Sequence, residues 1–299
     1  MIEIKNVIKS FGDYVAIDGL DITVEDGSIF GLVGYNGAGK TTLLKTVAGV
    51  YKADKGEVLI DGKNTFSQAD ARKEMFYVPD EIYFEAYSTI EKMAKFYKGY
   101  YKNFSDETLD KLCAVFGLDK KAKLNSFSKG MQRQAEMILG MSTLPKVLLL
   151  DESFDGLDPA KKNVMNNMLV DYVAEKNCSV IISSHDLHEI VSICDHVALI
   201  NGKKIAINCS VDDISSNRSK FRLVFADNKT EDDFASFDVK RIKIDGKIVV
   251  ISLSGTEEEN ESKLKEMNPL LIEKFPPTLE EIFLEEMEGS EYDFKEIFA

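Results

Sequence analysis

The chain has 299 residues, 44% of them hydrophobic, and it carries 37 Lys and Arg against 51 Asp and Glu. The net charge of −14 argues against DNA or RNA as the main partner, because a protein that binds a phosphate backbone needs an excess of basic residues. No apolar run approaches the roughly 18 to 20 residues that a membrane-spanning helix needs. The opening "MIEIKNVIKS" has interleaved charges and lacks the features of a secretory signal, so we expect a cytoplasmic protein.

Up to about residue 210, short β-rich runs alternate with helical patterns. The clearest apolar runs are "IFGLVG" at 29–34, "VLLLD" at 147–151, "VIISS" at 180–184 and "HVALI" at 196–200. Continuous apolar strands separated by helices predict an α/β fold, with a mostly parallel core sheet that is covered by helices on both faces. Ligands of such sheets bind at the carboxyl ends of the strands.

The stretch "GYNGAGKTT" follows the first of these apolar strands and precedes a helical pattern, which is the context of a phosphate-binding P-loop. Glycines let the backbone wrap closely around a phosphate, so that amide groups and the positive end of the helix converge on it. Lys40 can reach the β- and γ-phosphates, and the Thr41 hydroxyl can ligate Mg²⁺. The predicted ATP-binding residues of this loop are Gly34, Tyr35, Asn36, Gly37, Ala38, Gly39, Lys40, Thr41 and Thr42.

Residues 81–145 have mainly helical patterns and include the aromatic-rich stretch "YFEAYSTIEKMAKFYKGYYKNF". Aromatic and basic residues are also interleaved in proteins that bind single-stranded nucleic acid. Here the lysines recur every three or four residues, as on the solvated face of an amphipathic helix, and the chain is acidic overall. We therefore favour a packed helix and expect no nucleic-acid partner.

Two consecutive carboxylates end the strand "VLLLDE". Asp151 at the carboxyl edge of the sheet can hold Mg²⁺ through water, as in a Walker-B site, and Glu152 is the candidate general base for attack on the γ-phosphate. The alternative is that both carboxylates only cap the following turn. A P-loop in the same sheet favours the catalytic interpretation, in which Asp151 is a metal ligand and Glu152 and Lys40 are catalytic residues.

Residues 216–299 are predicted to form a small acidic α+β accessory domain. Residues 211–299 contain 12 Lys and Arg against 22 Asp and Glu, which gives a net charge of −10. The dipeptide Asp245-Gly246 within "KRIKIDGKIVVISL" predicts a β-hairpin. Thr278 precedes Glu281 by three residues, which predicts a helix that begins with a capping box.

Five further motifs resemble those of the ATP-binding subunits of ABC transporters, and the resemblance covers residues 1 to about 210. "SFSKGMQ" is similar to the signature motif, "GLD" to the D-loop, "SSHD" to the switch histidine, "KSFG" to the aromatic that stacks on adenine, and "YVPDE" to the Q-loop. The residues that carry these motifs are Ser128, Gly130, Gln132, Asp158, His185, Phe11 and Asp80.

The resemblance implies an ABC-type P-loop NTPase over residues 1–215, with an N-terminal antiparallel β region and a helical subdomain at about 81–145. It also implies that two chains, most simply two identical ones, sandwich two ATP molecules. Ser128 and Gly130 at the start of one helix would contact ATP held by the P-loop of the partner, and Phe11, Gln132 and Asp158 would belong to the same nucleotide site. His185 would be a catalytic residue that contacts the γ-phosphate or the attacking water. Separately encoded membrane permease subunits are the expected partners, with the chain peripheral on the inner face of the membrane.

Three positions depart from the family pattern. Asp80 replaces the usual Q-loop glutamine, Ser153 replaces a proline after the glutamate, and Lys129 replaces the first signature glycine. Aspartate is shorter than glutamine, charged and only an acceptor, so we expect Asp80 in the second shell of Mg²⁺, with altered coupling or Mg²⁺ dependence. The accessory domain resembles extensions of exporter-type subunits, which suggests export.

Two other functions are compatible with parts of the pattern. A soluble ABC-type ATPase could act on a macromolecular complex such as the ribosome or DNA, but the acidic charge and the single cassette disfavour it. A regulatory protein with a dead site would be favoured if Lys40, Asp151 or Glu152 were missing, and all three are present.

Overall fold

The computed structural model describes residues 1–213, 218–276 and 281–283, and the chain divides into two compact units, Met1–Asn208 and Cys209–Ala299. Each unit has its own hydrophobic core. The domain boundary predicted between residues 215 and 216 lies outside the described residues, and so does Thr278 of the predicted capping box.

Ten strands precede residue 211. They are β1 (Ile2–Phe11), β2 (Tyr14–Val24), β3 (Ile29–Val33), β4 (Lys55–Ile60), β5 (Lys63–Asn64), β6 (Met75–Val78), β7 (Val147–Asp151), β8 (Ser179–Ser184), β9 (His196–Asn201) and β10 (Lys204–Ser210). They form a four-stranded antiparallel sheet ordered β2-β1-β4-β5 and a six-stranded sheet ordered β10-β9-β3-β8-β7-β6. In the larger sheet, β9, β3, β8, β7 and β6 run parallel, which confirms the predicted α/β fold.

Seven α-helices connect these strands. They are α1 (Lys40–Val47), α2 (Ala69–Lys73), α3 (Ile90–Lys98), α4 (Asp106–Phe116), α5 (Lys129–Ser142), α6 (Pro159–Lys176) and α7 (Leu187–Val191), with a 3₁₀ turn at Leu124–Ser126. The inserted helices α3, α4 and α5 lie between β6 and β7 in the chain. Each of the three begins after a hydroxyl residue whose side chain accepts a backbone N–H, which is the usual N-cap arrangement: Thr89, Ser105 and Ser128.

Alternate residues of β3 point to opposite faces of the core sheet, and a helix packs against β3 on each face. Phe30 and Leu32 join the same buried cluster as Leu43 and Leu44 of α1. A side chain at Gly31, between them in sequence, would come within 2.3 Å of Ile190 Cγ2 of α7. Glycine therefore lets α7 approach the second face, and β3 is fixed between two helices just before the glycine loop.

The second unit contains an antiparallel sheet ordered β12-β13-β11-β14. Its elements are β11 (Arg218–Val224), a 3₁₀ turn (Glu231–Phe234), β12 (Val239–Asp245), β13 (Ile248–Ser254), α8 (Glu257–Glu266) and β14 (Leu271–Phe275). The predicted hairpin is present, but its turn lies one residue later than predicted, at Gly246-Lys247, because Asp245 pairs with Ile248 and Gly246 has a φ of 59°. Among the residues that the structure describes, no helix of the chain is long and apolar enough to cross a membrane.

Candidate active site

The glycine loop lies between β3 and α1, at the carboxyl edge of the core sheet. Gly39 has a φ of 110°, and a side chain there would lie 2.7 Å from the Ala16 carbonyl oxygen. Both conditions exclude a larger residue at this position. The loop is closed by a hydrogen bond from the Ala38 amide to the Tyr35 carbonyl oxygen at 3.0 Å. The backbone of the loop can therefore approach a phosphate without a side chain in between.

Lys40 is 5% exposed and folds back over this loop. Its Nζ donates to the carbonyl oxygens of Gly34 at 2.6 Å and Tyr35 at 3.3 Å. It also forms an ion pair with Glu152 Oε1 at 3.1 Å. The ammonium group is thus held beside the loop, and the predicted catalytic residues Lys40 and Glu152 are in direct contact.

Asp151 is fully buried at the end of β7 and accepts three hydrogen bonds from hydroxyl groups. The donors are Thr41 Oγ1 at 3.1 Å, Ser183 Oγ at 2.7 Å and Tyr77 Oη at 3.0 Å. The two predicted metal ligands, Thr41 and Asp151, are therefore neighbours. Burial and the negative charge of Asp151 raise the pKa of Tyr77, so Tyr77 stays a hydrogen-bond donor at any physiological pH.

Glu152 adopts a left-handed backbone conformation with a φ of 46°, which is uncommon for a residue with a side chain. Its amide donates to the Ser183 carbonyl oxygen and the Ser183 Oγ, both at 3.1 Å. This conformation directs the carboxylate between two cationic groups, because Oε1 contacts Lys40 and Oε2 lies 2.9 Å from His185 Nδ1. The hydrogen bond with Glu152 raises the pKa of His185 and so favours the protonated ring.

Asp80, the predicted Q-loop residue, lies in the loop after β6. Arg133 of α5 donates from Nη1 to the Pro79 carbonyl oxygen at 2.7 Å, and its Nη2 lies 3.5 Å from Asp80 Oδ1. Arg133 is only 8% exposed. Arg133 therefore connects the Asp80 loop to α5, the helix that begins at the signature motif. The sequence analysis did not identify Arg133.

The signature residues lie at the start of α5. Ser128 Oγ accepts a hydrogen bond from the Met131 amide at 3.2 Å, so Ser128 caps the helix. Gln132 Nε2 donates to the carbonyl oxygens of Leu124 at 3.1 Å and Phe127 at 3.4 Å. Asp158 caps α6 in the same way as Ser128 caps α5, through the Lys161 amide at 3.0 Å. The nucleotide contacts predicted for Ser128, Gly130, Gln132 and Asp158 remain predictions.

Two separate clefts contain these residues. A cleft of about 300 Å³ at the glycine loop is lined by Tyr14, Ala16, Tyr35, Asn36, Gly37, Gly39, Lys40, Thr41, Thr42, Asp80 and Glu152. A second cleft of about 590 Å³ is lined by Asp80, Glu81, Ile82, Lys129, Gln132, Arg133, Asp155 and Gly156. Asp80 alone lines both, so it forms part of the wall between the P-loop cleft and the signature cleft.

Two aromatic side chains line the P-loop cleft, Tyr14 and Tyr35. The sequence instead predicts that adenine stacks on Phe11. Phe11 lies just outside, with its ring packed edge-on against Tyr51 at a centroid distance of 5.2 Å. Its ring is 45% exposed. The stacking role of Phe11 remains a prediction.

These features define the P-loop class of nucleotide hydrolases: a strand, a glycine loop and a helix in succession, with a buried carboxylate beside them at the edge of a parallel sheet. A family model described as ABC transporter matches residues 17–155. Nod factor export ATP-binding protein I of Burkholderia lata is 31% identical over 301 aligned positions that cover 95% of each chain. The chain therefore belongs to the ABC transporter ATP-binding family, and it is an ATPase.

Other comparisons agree with this assignment. The uncharacterized ABC transporter ATP-binding protein YhcH of Bacillus subtilis is 34% identical over 230 residues, 74% of each chain. YtrB of the same organism is 26% identical over 289 residues, 97% of this chain and 99% of its own. The dimeric structure of MJ0796, a bacterial ABC transporter cassette, superposes with a TM-score of 0.64 at 19% identity, over 71% of this chain and 99% of that one. The structural likeness supports the fold.

Proposed function

We propose that this ATP-binding subunit hydrolyses Mg·ATP in a site that two chains complete, and that it powers transport through separately encoded membrane subunits. The observation that carries the proposal is the separation of the two clefts. No residue of 128–130 lines the P-loop cleft, and no residue of 34–42 lines the signature cleft. A second chain can bring its signature helix to the triphosphate, and the description of the MJ0796 cassette as dimeric supports this arrangement.

The residues around Asp151 fit a magnesium ion, because Mg²⁺ prefers oxygen ligands and both Thr41 and Asp151 offer oxygen at one point of the sheet edge. Thr41 and Asp151 would hold the ion, with Asp80 in its second shell. When bound, the ion would neutralise negative charge on the phosphate oxygens. Ser183 and Tyr77 orient Asp151 through their hydroxyl groups.

Lys40 and Glu152 change partners when a triphosphate binds. Their ion pair of 3.1 Å neutralises the Glu152 carboxylate in the nucleotide-free chain. A γ-phosphate beside the loop offers Lys40 a stronger anion, and the charge of Glu152 is then free to act on water. Nucleotide binding thereby activates the general base as well as placing the substrate.

Hydrolysis proceeds by in-line attack of water on the γ-phosphorus. Glu152 accepts a proton from the water, the water oxygen forms the new P–O bond, and the bond to the β–γ bridging oxygen breaks, so that ADP leaves with that oxygen. His185, hydrogen-bonded to Glu152 at 2.9 Å, holds the carboxylate in place and would contact the γ-phosphate or the attacking water. Lys40 stabilises the charge that develops on the phosphate oxygens.

The second chain would contribute the N-terminal end of α5. Helix N-termini attract anions, because backbone N–H groups point outward there and the helix dipole is positive. Ser128 and Gly130 of the second chain would therefore favour ATP over ADP through the γ-phosphate, so that ATP closes the dimer and hydrolysis opens it. Two copies of this chain are the simplest pair.

A patch of exposed aromatic residues next to Asp80 is the proposed docking surface for the membrane subunits. Tyr83 and Tyr87 lie in the loop after Asp80, and Phe96 and Tyr100 lie at the end of α3. All four are more than half exposed, which is unusual for such large apolar side chains clustered in one segment. We propose export as the direction, and this is supported by alignment of the Nod factor export relative over both units.

Co-purification from gently solubilised membranes tests this assignment. The tagged chain should retain an integral membrane protein, and the double variant Tyr83→Ser/Tyr87→Ser should lose it while it still binds ATP. Phe66→Ser, at another exposed aromatic residue, is the matched control and should retain the membrane protein. Recovery of the wild-type chain only with ribosomes or with another soluble complex would instead identify a non-transport ABC-type ATPase.

A further inference from the structure

Three side chains that could bind a metal ion meet on the side of Glu152 that faces away from Lys40. One of them, Asp155, has no part in the hydrolysis proposed above. Among the described residues, Glu152, Asp155 and His185 each place a ligand atom within 4.8 Å of the other two. His185 Nδ1 lies 2.9 Å from Glu152 Oε2 and 4.0 Å from Asp155 Oδ2. One imidazole nitrogen and two carboxylate oxygens therefore converge from three side chains.

The spacing of these atoms fits a small four-coordinate ion. Zn²⁺ binds histidine nitrogen and carboxylate oxygen at about 2.0 to 2.2 Å in tetrahedral geometry, so that its ligand atoms lie about 3.3 Å apart. The distances of 2.9 Å and 4.0 Å lie on either side of this value. The side chains of Asp155 and His185 are 42% and 51% exposed, so both can rotate slightly and an ion can reach them.

The ligand set differs in kind from the predicted Mg²⁺ site. Thr41 and Asp151 offer only oxygen, whereas this group includes an imidazole, which suits zinc and its neighbours in the first transition row and not magnesium. Lys40 contacts the opposite carboxylate oxygen, Oε1, so Oε2 faces His185 without an intervening ammonium group. When the ion takes the place of the proton on His185 Nδ1, the ligand set is two carboxylates and a neutral imidazole beside one lysine, which leaves a net negative charge to favour the cation.

We propose that Glu152, Asp155 and His185 bind a divalent transition-metal ion, best matched by Zn²⁺, and that this ion inhibits ATP hydrolysis. Coordination through Oε2 withdraws negative charge from the Glu152 carboxylate, the general base of the proposed function, and so weakens it as a proton acceptor. It also replaces the hydrogen bond by which His185 holds the Glu152 carboxylate in place. Inhibition is therefore reversible and ends when the ion is removed by a chelator.

Calorimetric titration of the nucleotide-free full-length chain with Zn²⁺ tests the site directly, without reference to ATPase activity. The wild type should bind one ion at this site. Asp155→Ala removes one of three ligands and should weaken that binding at least about tenfold, since even outer-shell changes at metal sites cost this much. Asp155→His replaces one zinc ligand with another and should retain the binding, and Asp171→Asn, an exposed carboxylate on α6, should leave it unchanged.

Inhibition provides the second readout. With each variant scaled to its own rate in Mg·ATP, Asp155→Ala should need at least about ten times more Zn²⁺ than the wild type for half inhibition. Equal Zn²⁺ affinity of wild type and Asp155→Ala in the titration would overturn the proposal, as would loss of binding in Asp155→His with the fold intact by circular dichroism. Neither result would affect the assignment of ATPase activity, because no zinc is required for hydrolysis.

Discussion

The P-loop region and the signature region of this chain use their polar groups in different ways. Around the P-loop, Lys40 contacts Glu152 and Thr41 contacts Asp151, each at 3.1 Å. At the signature, the Ser128 hydroxyl accepts only from the amide of its own helix. Within the described residues, no hydrogen bond or ion pair joins residues 128–130 to residues 34–42.

The difference separates what one chain can do from what two chains must do. In the proposed mechanism, phosphate binding and activation of water would depend on groups that the fold of a single chain has already brought together. Recognition of the γ-phosphate by the helix end at Ser128 would depend on a second chain. We therefore expect substitutions in the two regions to have distinct effects, with loss of chemistry in the first and loss of assembly in the second.

Glu152→Gln should have the largest effect. The amide cannot accept the proton from water, so ATP turnover should fall by about a thousandfold, within the range that general bases contribute. Binding of ATP should persist, and the closed dimer should accumulate because hydrolysis no longer opens it. Steady-state ATPase assays and size-exclusion chromatography with ATP measure both effects. A variant that stays monomeric with ATP would contradict the proposed assembly.

Ser128→Asp should isolate the signature region. Aspartate caps a helix as well as serine does, so α5 remains stable, but its charge opposes the γ-phosphate of the partner site. Like charges that face each other cost several kcal/mol, so ATP-driven dimerisation and turnover should fall by about a hundredfold. Ser128→Asn, which caps without a charge, is the matched control. ATP binding to the monomer should be unchanged in both variants.

Asp80 and Arg133 link the two regions, and their effects should be intermediate. Asp80→Gln removes the charge that Arg133 faces at 3.5 Å, and Arg133→Met removes the cation that competes with Mg²⁺ for Asp80. Each should change the Mg²⁺ concentration for half-maximal ATPase by about threefold to tenfold, and the double variant should not be additive, because the residues interact. Unchanged Mg²⁺ titrations in Asp80→Gln would show that Asp80 has no role near the metal.

The contribution of the His185–Glu152 pair to folding stability should be the smallest of the effects predicted here, and it should depend on pH. The pKa of His185 is raised above the usual 6.5 by the hydrogen bond with Glu152, so the pair stabilises the fold fully below that usual value and loses this contribution as pH rises through the raised pKa. The ring is half exposed, so the contribution should stay below about 1 kcal/mol.

Chemical denaturation of wild type and His185→Gln at pH 6 and pH 9 measures this effect. The difference between the two proteins should be larger at the lower pH. In a Glu152→Gln background the same substitution should show a smaller pH dependence, since the carboxylate that raises the pKa most is gone and only Asp155 remains near the ring. A difference that grows with pH would have the wrong sign for the pair described here.

The parts of the site that directly follow an apolar strand could be predicted from the sequence. Residues 34–42 and the pair Asp151–Glu152 follow apolar strands, and parallel strands end at the same edge of a sheet. This places Thr41 near Asp151, although the two are separated by more than a hundred residues. The class of ATPase and its α/β fold could therefore be predicted from local patterns and the order of motifs.

Groups that depend on strand register could not be predicted. Tyr77 and Ser183 reach Asp151 because Ser183 pairs with Asp151, and Tyr77 pairs with Leu149, on either side of β7. A single sequence does not state which strands are neighbours or how they are aligned. The contact of Arg133 with Asp80 likewise depends on how α5 packs near β6, and the convergence of Asp155 on His185 depends on the turn after Glu152.

Mixing two inactive variants tests the composite site most directly. Lys40→Met removes the phosphate ligand of one chain and Ser128→Asp disables its signature, so each homodimer should be inactive. A mixed dimer has one intact site, formed by the P-loop of the Ser128→Asp chain and the signature of the Lys40→Met chain. Random pairing at equal amounts should restore about a quarter of wild-type ATPase activity. Activity no higher than that of either variant alone, with mixed dimers present, would contradict a site that two chains share.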